Sequence, residues 1–166
     1  AFMCRVNQDG TGLKRLNEKP ADRRYSASPE AGYFVLTYDS PDHPGRRILM
    51  RRDGKTVREL GNSYQPVMDE YDLGRKERFT ILTSDGIKLP AAWILPPDFD
   101  KNKKYPVLFN VYGGPGSSMV SDSYPSLQDL YMAQEGIIVI NVDHRGSGHF
   151  GKKGNALMHL SLIHIS

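Results

Sequence analysis

Residues 106–142 constrain the fold more than any other stretch of the chain. Pro-Val-Leu-Phe-Asn-Val at 106–111 is a short, nearly continuous apolar run that enters a glycine-rich loop at 113–118. Residues 126–135 then read as a helix. Leu127, Leu130, Tyr131 and Gln134 recur at helical spacing, Ser126 with Asp129 can form a capping box, and Gly136 suits the C-terminal stop. Ile-Ile-Val-Ile-Asn-Val at 137–142 follows as an unbroken apolar strand of the kind parallel sheets bury. Strand, helix, strand is a crossover unit, so residues 106–111 and 137–142 are expected to lie parallel in one sheet, with the helix packed across it.

Upstream the pattern differs. Asp9-Gly10-Thr11-Gly12 separates two strand-like runs within residues 2–16, and Asp53-Gly54 separates residues 48–52 from 55–60. Between them Tyr-Phe-Val-Leu-Thr-Tyr at 33–38 is rich in strand-forming side chains. The two Asp-Gly turns stand 44 residues apart, within the blade period of some β-propellers, although one interval fits the edge of a sandwich equally well. Residues 2–60 are therefore expected to form an open antiparallel sheet with unpaired edges. Residues 61–75 mix Gly, Asn, Pro, Asp and Glu without periodicity and read as a connection. A further hairpin is expected from residues 79–83 and 87–95 around Ser84-Asp85-Gly86, with Trp93 packed in the core of its sheet.

Composition excludes several classes. Of 166 residues 39% are hydrophobic and 25% charged, which suits a folded chain. No apolar run approaches the roughly 20 residues of a membrane helix. The net charge of +3 comes from basic pairs such as Arg23-Arg24, Arg46-Arg47 and Arg51-Arg52 interleaved with acids, so no nucleic-acid partner is expected. Cys4 is the single cysteine, which excludes an internal disulfide and a cysteine-rich metal site; neither metal nor cofactor is expected. Residues 160–166, Leu-Ser-Leu-Ile-His-Ile-Ser, match one reading frame of a sequencing-library adaptor. They are read as adaptor-derived, with the native sequence ending near His159 and cut at both ends, and His164 is left out of the chemistry.

Two glycine loops follow strand ends, where open α/β sheets bind ligands. Gly146-Ser147-Gly148-His149-Phe150-Gly151 satisfies G-x-G-x-x-G, but Asp143-His144-Arg145 separates it from the strand, no helix pattern follows, and Lys153 stands where a P-loop needs a hydroxyl. A turn that uses glycine at positive φ is the expected role. In Tyr112-Gly113-Gly114-Pro115-Gly116 the glycines force a sharp exit from the strand. A phenol at Tyr112 can either pack on its neighbours or donate to an oxyanion formed during acyl transfer. No G-x-S-x-G and no H-E-x-x-H occurs, and His43, His144, His149 and His159 are scattered.

Lys104-Tyr105-Pro106-Val107, Tyr112-Gly113-Gly114-Pro115-Gly116 and Asp143-His144-Arg145-Gly146-Ser147-Gly148, in that order and spacing, resemble the prolyl oligopeptidase family, most closely its bacterial dipeptidyl peptidase IV branch. Thr83-Ser84-Asp85-Gly86 and Pro97-Asp98-Phe99-Asp100 resemble that family's lead into its hydrolase domain. Residues 5–16 and Ser26-Ala27-Ser28-Pro29 resemble its last propeller segments. The resemblance implies an α/β class chain: the end of a β-propeller at 1–62, a linker at 63–78 and the first part of an α/β-hydrolase domain at 79–159, before the tail at 160–166.

It also implies a serine exopeptidase that removes Xaa-Pro or Xaa-Ala dipeptides with a Ser-Asp-His triad. Tyr112 would be the side-chain donor of the oxyanion hole, and Asp143 would be structural, not the triad acid. The triad Ser, Asp and His fall outside the chain, which is therefore expected to be inactive alone. The partners implied are peptides with Pro or Ala at the penultimate position; the resemblance allows a homodimer of the complete protein and implies an extracytoplasmic location. Another α/β-hydrolase, acylaminoacyl-releasing or iminopeptidase-like, stays open, although iminopeptidases carry His where this chain has Tyr112. A propeller-based binding protein with an inert α/β domain also stays open.

Overall fold

The computed structural model describes residues 4–15 and 22–158; Phe2 and Leu16 of the expected first hairpin, and the adaptor-like tail with His159, lie outside the described residues. The chain divides into two compact units, Ala1–Met68 with Asp122–Tyr124, and Asp69–Ser121 with Pro125–Ser166. The first unit is antiparallel throughout its described ladders. Strands β1 (Cys4–Arg5) and β2 (Lys14–Arg15) form a small hairpin with Cys4 opposite Arg15. Its turn is fastened by Asp9, whose carboxylate accepts the Thr11 N–H at 2.9 Å and the Thr11 hydroxyl at 2.7 Å. Strands β3 (Asp22–Ala27), β4 (Tyr33–Ser40), β5 (His43–Arg51) and β6 (Thr56–Asn62) make an open four-stranded meander in that order. Leu36 and Met50 are its buried apolar side chains, and every residue of β6 is exposed. Strand β3 has no counterpart in the sequence reading, because Asp-Arg-Arg-Tyr-Ser-Ala lacks the apolar alternation that marks a half-buried strand.

A 3₁₀ turn at Pro66–Glu70 includes the division after Met68, and in the second unit β7 (Arg75–Leu82) and β8 (Lys88–Leu95) form a hairpin in register from Arg75 opposite Leu95 to Leu82 opposite Lys88. Strand β7 starts four residues before the expected Phe79. The polar run Arg75-Lys76-Glu77-Arg78 hides it, yet charges suit a strand at the end of a sheet. Strand β9 (Val107–Asn110), helix α1 (Leu127–Gln134) and strand β10 (Ile138–Val142) complete the sheet in the order β7-β8-β10-β9. The ladder between β10 and β9 is parallel, Ile138 opposite Val107 through Asn141 opposite Asn110, as the crossover requires. Strand β10 pairs antiparallel with β8 on its other side, so most strand pairing among the described residues is antiparallel.

The core of this unit sits where β8 and β10 meet α1. Ala91, Ala92, Ile94 and Leu95 of β8 and Val139 of β10 are buried, as are Leu130 and Ala133 of the helix. Ser126 caps α1 by accepting the Asp129 N–H at 3.1 Å. The helix buries only part of the face its spacing predicted: Leu130 is buried together with Ala133, while Leu127 is 79% and Tyr131 60% exposed. Strand β9 also departs from expectation. Val107, Leu108 and Phe109 are exposed, so the sheet is not covered on both faces at this end. No helix among the described residues is long and apolar enough to cross a membrane.

Trp93 lies on the half-exposed side of the sheet rather than in its core. Its ring packs on Phe79 at 4.6 Å between centroids, and its indole N–H donates to the Glu77 carboxylate at 3.0 Å. Arg75 Nε donates to the other oxygen of Glu77 at 2.8 Å. These bonds, Arg75 first and Trp93 second, hold the Glu77 carboxyl below the ordinary glutamate range. The group ionises more readily folded than unfolded, so its stabilisation is present at neutral pH and drains away as pH falls through its folded value. Trp93 is the only tryptophan and reports on this directly. Its emission is expected to change with a midpoint below about pH 4.3, and Glu77→Gln is expected to abolish that change. A midpoint at or above pH 4.3 would contradict the assignment.

Candidate active site

Strand β8 is antiparallel to both β7 and β10, and β9 is parallel to β10, so β7, β9 and β10 all run the same way. Their carboxyl ends, and the loops that follow each, therefore gather at one edge of the sheet. Tyr112 stands there, two residues beyond β9 and half exposed. Its ring folds back over Gly114: a Cβ at that position would lie 2.7 Å from Tyr112 Cε1 and 2.9 Å from its hydroxyl oxygen. Glycine at 114 is thus what lets the phenol lie at the mouth of the loop. Beneath it is a cavity of about 280 Å³ lined mainly by Phe109, Val111, Tyr112, Val142, His144 and Met158.

Asp143 caps the end of β10 and is 2% exposed. Its carboxylate accepts the Met119 N–H at 2.6 Å and the Val120 N–H at 3.1 Å. His149 Nε2 lies 2.9 Å from the same carboxylate and 3.2 Å from the Val120 carbonyl. Two backbone bonds join the same loops, Gly116 N–H to the Gly146 carbonyl at 3.2 Å and Gly148 N–H to the Ser117 carbonyl at 3.0 Å. Arg145 reaches the other way, to Asp85 in the turn after β7, with nitrogen–oxygen distances of 2.8 and 3.3 Å. Thr83 and then Arg145 hold the Asp85 carboxyl below its ordinary range. The three loops at the carboxyl edge are in this way fastened to one another.

Sequence reasoning placed Tyr112 at the strand end but missed the pairing of Asp143 with His149, which are six residues apart. His149 lies in a 3₁₀ turn at Gly148–Phe150 that helix α2 (Gly151–Leu157) follows, where no helix was expected. The Gly-rich segment 146–151 also serves differently than predicted. Only Gly151 there has a positive φ. Gly148 is needed for close approach instead, since a Cβ would lie 2.9 Å from the Gly116 carbonyl oxygen and 3.1 Å from Ser118 Oγ. The His144 ring accepts the Gly146 N–H at Nδ1, 3.0 Å away, and its buried Nε2 has no partner. Among the described residues no group of three His, Cys, Asp or Glu side chains is placed to hold a metal ion.

No family model matches the chain. A curated protein of Ajellomyces dermatitidis, named "Probable dipeptidyl-aminopeptidase B", is 37% identical over 171 residues, covering 96% of this chain and 18% of the relative. A protein of the same name from Botryotinia fuckeliana is 34% identical over 171 residues with the same coverage. The crystal structure of Porphyromonas gingivalis dipeptidyl peptidase 4 superposes with a TM-score of 0.76 at 29% identity, covering 87% of this chain and 21% of that one. The chain belongs to the dipeptidyl peptidase IV branch of the prolyl oligopeptidase family. It spans about a fifth of the length of these relatives. The hydrolase and peptidase class read from Tyr112-Gly113-Gly114-Pro115-Gly116 and its companions is that of the family.

The close approach at Gly148 makes a testable demand on stability. Gly148→Ala must push the Gly116 carbonyl away or twist the 146–151 turn, and is expected to cost about 1–3 kcal/mol. Gly113→Ala, where a Cβ meets nothing within 4 Å, serves as the control. Denaturant unfolding of the two variants side by side checks the contrast.

Proposed function

We propose that this chain is the junction of a propeller and a peptidase domain in a serine exopeptidase that releases N-terminal Xaa-Pro or Xaa-Ala dipeptides. On this reading residues 1–62 end the β-propeller, 63–78 link the domains, with the last four residues of the linker already paired as the start of β7, and 79–159 begin the α/β-hydrolase domain. The observation that carries it is Tyr112, whose phenol stands at the carboxyl edge of the sheet on a glycine-shaped loop. Acyl transfer requires a serine hydroxyl activated by histidine, a carboxylate to orient that histidine, and donors aimed at the developing oxyanion. Tyr112 is the side-chain donor, and the backbone N–H beside the nucleophile is the other. The triad itself lies in the part of the relatives' length that this chain does not span. The 166 residues are therefore inactive by themselves.

The test compares the chain with the complete gene product. The complete protein is expected to cleave Xaa-Pro chromogenic substrates and to be labelled by fluorophosphonate probes; the 166-residue chain is expected to do neither. In the complete protein Tyr112→Phe removes one oxyanion donor and should lower kcat by about a hundredfold or more, with a smaller effect on KM. Labelling of any serine within residues 1–159 above a denatured control would overturn the reading.

A further inference from the structure

We infer that Asp143 is a positioning residue: its buried carboxylate holds the loop that follows Tyr112, and so fixes where the phenol points. The inference rests on the reading of Tyr112 as an oxyanion donor. Three groups converge on this one carboxylate, the N–H groups of Met119 and Val120 and the ring of His149. The first two come from the far end of the loop that Tyr112 begins. The near end is held by the Gly116 N–H on the Gly146 carbonyl, and the middle by Gly148 N–H on the Ser117 carbonyl. All of these partners belong to the segment anchored by Asp143 at the end of β10, whose own N–H donates to the Pro90 carbonyl at 3.0 Å. The loop therefore takes its position from the central strands β8 and β10, not from β9, whose residues Val107, Leu108 and Phe109 are exposed.

The chemistry of the side chain suits this task and not that of a proton carrier. A carboxylate that is 2% exposed and occupied by two backbone donors and an imidazole has no face open to a substrate. It is also hard to replace. Asparagine keeps the shape but turns one of the two acceptor oxygens into a donor, which meets either the Met119 or the Val120 N–H head-on and leaves a buried donor unsatisfied. The loop then loses the anchor at its far end while Tyr112 itself is untouched.

The experiment is a double-mutant cycle in the complete gene product, combined with amide hydrogen exchange. Asp143→Asn is expected to speed exchange across residues 113–120, to leave the β8–β10 ladder protected, and to lower kcat by about ten- to a hundredfold with little change in KM. In a Tyr112→Phe background the same substitution should cost less than about threefold, because the group it positions is gone. His149→Ala, which strips one partner from the carboxylate without altering Asp143, should move exchange and kcat in the same direction by less. It carries the test if Asp143→Asn does not fold. Unchanged exchange at 113–120, or losses from residues 112 and 143 that multiply in full, would overturn the inference while leaving the role of Tyr112 standing. Full activity of Tyr112→Phe would instead remove the reading of Tyr112, and the inference with it.

Discussion

Four residues of parallel ladder, Ile138 to Asn141 against Val107 to Asn110, determine where every later feature falls. A parallel pair needs a crossover, and the crossover brings α1 back over the sheet. Because β10 also pairs with β8, and β8 with β7, the same ladder sends the loops after β7, β9 and β10 to one edge. Had residues 106–111 and 137–142 closed as a hairpin, Tyr112 and Asp143 would have been carried to opposite ends of the sheet. The apolar character of both runs, with no polar alternation to favour one exposed face, is what selects the buried arrangement for β10.

At that edge polar bonds hold the loops beside the buried Val120 and Met158, and the balance of energies explains their form. A carboxylate buried as deeply as Asp143 loses several kcal/mol of hydration, and only multiple donors offset this. Two N–H groups and an imidazole supply them. The exposed pair of Arg145 and Asp85 has less to offset and contributes less, since its side chains remain 37% and 51% accessible. The first interaction can therefore define a loop position, while the second limits how far the turn after β7 wanders.

The legible parts of the fold were those written in local chemistry. Asp9-Gly10 and Asp53-Gly54 announced hairpin turns, Ser126 announced a helix start, and the apolar runs announced β9 and β10. The parts that were not legible depend on partners distant in sequence. Strand β3 is polar and exists by pairing with β4, from Asp22 opposite Asp39 to Ala27 opposite Phe34. The first half of β7, residues 75–78, is charged and exists by pairing with β8. Spacing along α1 favoured Leu127, Leu130, Tyr131 and Gln134; of these the sheet buries Leu130, and it adds Ala133, which carries no apolar signal strong enough to stand out in the sequence. At the site, Tyr112 was legible from the glycines after it, whereas the grip of Asp143 on residues 119 and 120 spans more than twenty residues and leaves no local pattern.

The exposure of Tyr112 bears on why the arrangement needs more protein around it. The residue is 49% accessible, and a phenol facing water gains little from an oxyanion, since water already solvates that charge well. A preorganised donor is worth several kcal/mol only where solvent is excluded and the donor need not reorient. Both conditions depend on what lies against the β9 side of the edge, where Phe109 is 58% and Val111 69% accessible. Parallel strands ordinarily have both faces covered, so β9 has the composition of an interior strand in the position of an outer one. Under the proposed reading, covering β9 and drying the surroundings of Tyr112 are one event, and the positioned phenol gains its catalytic worth from that burial.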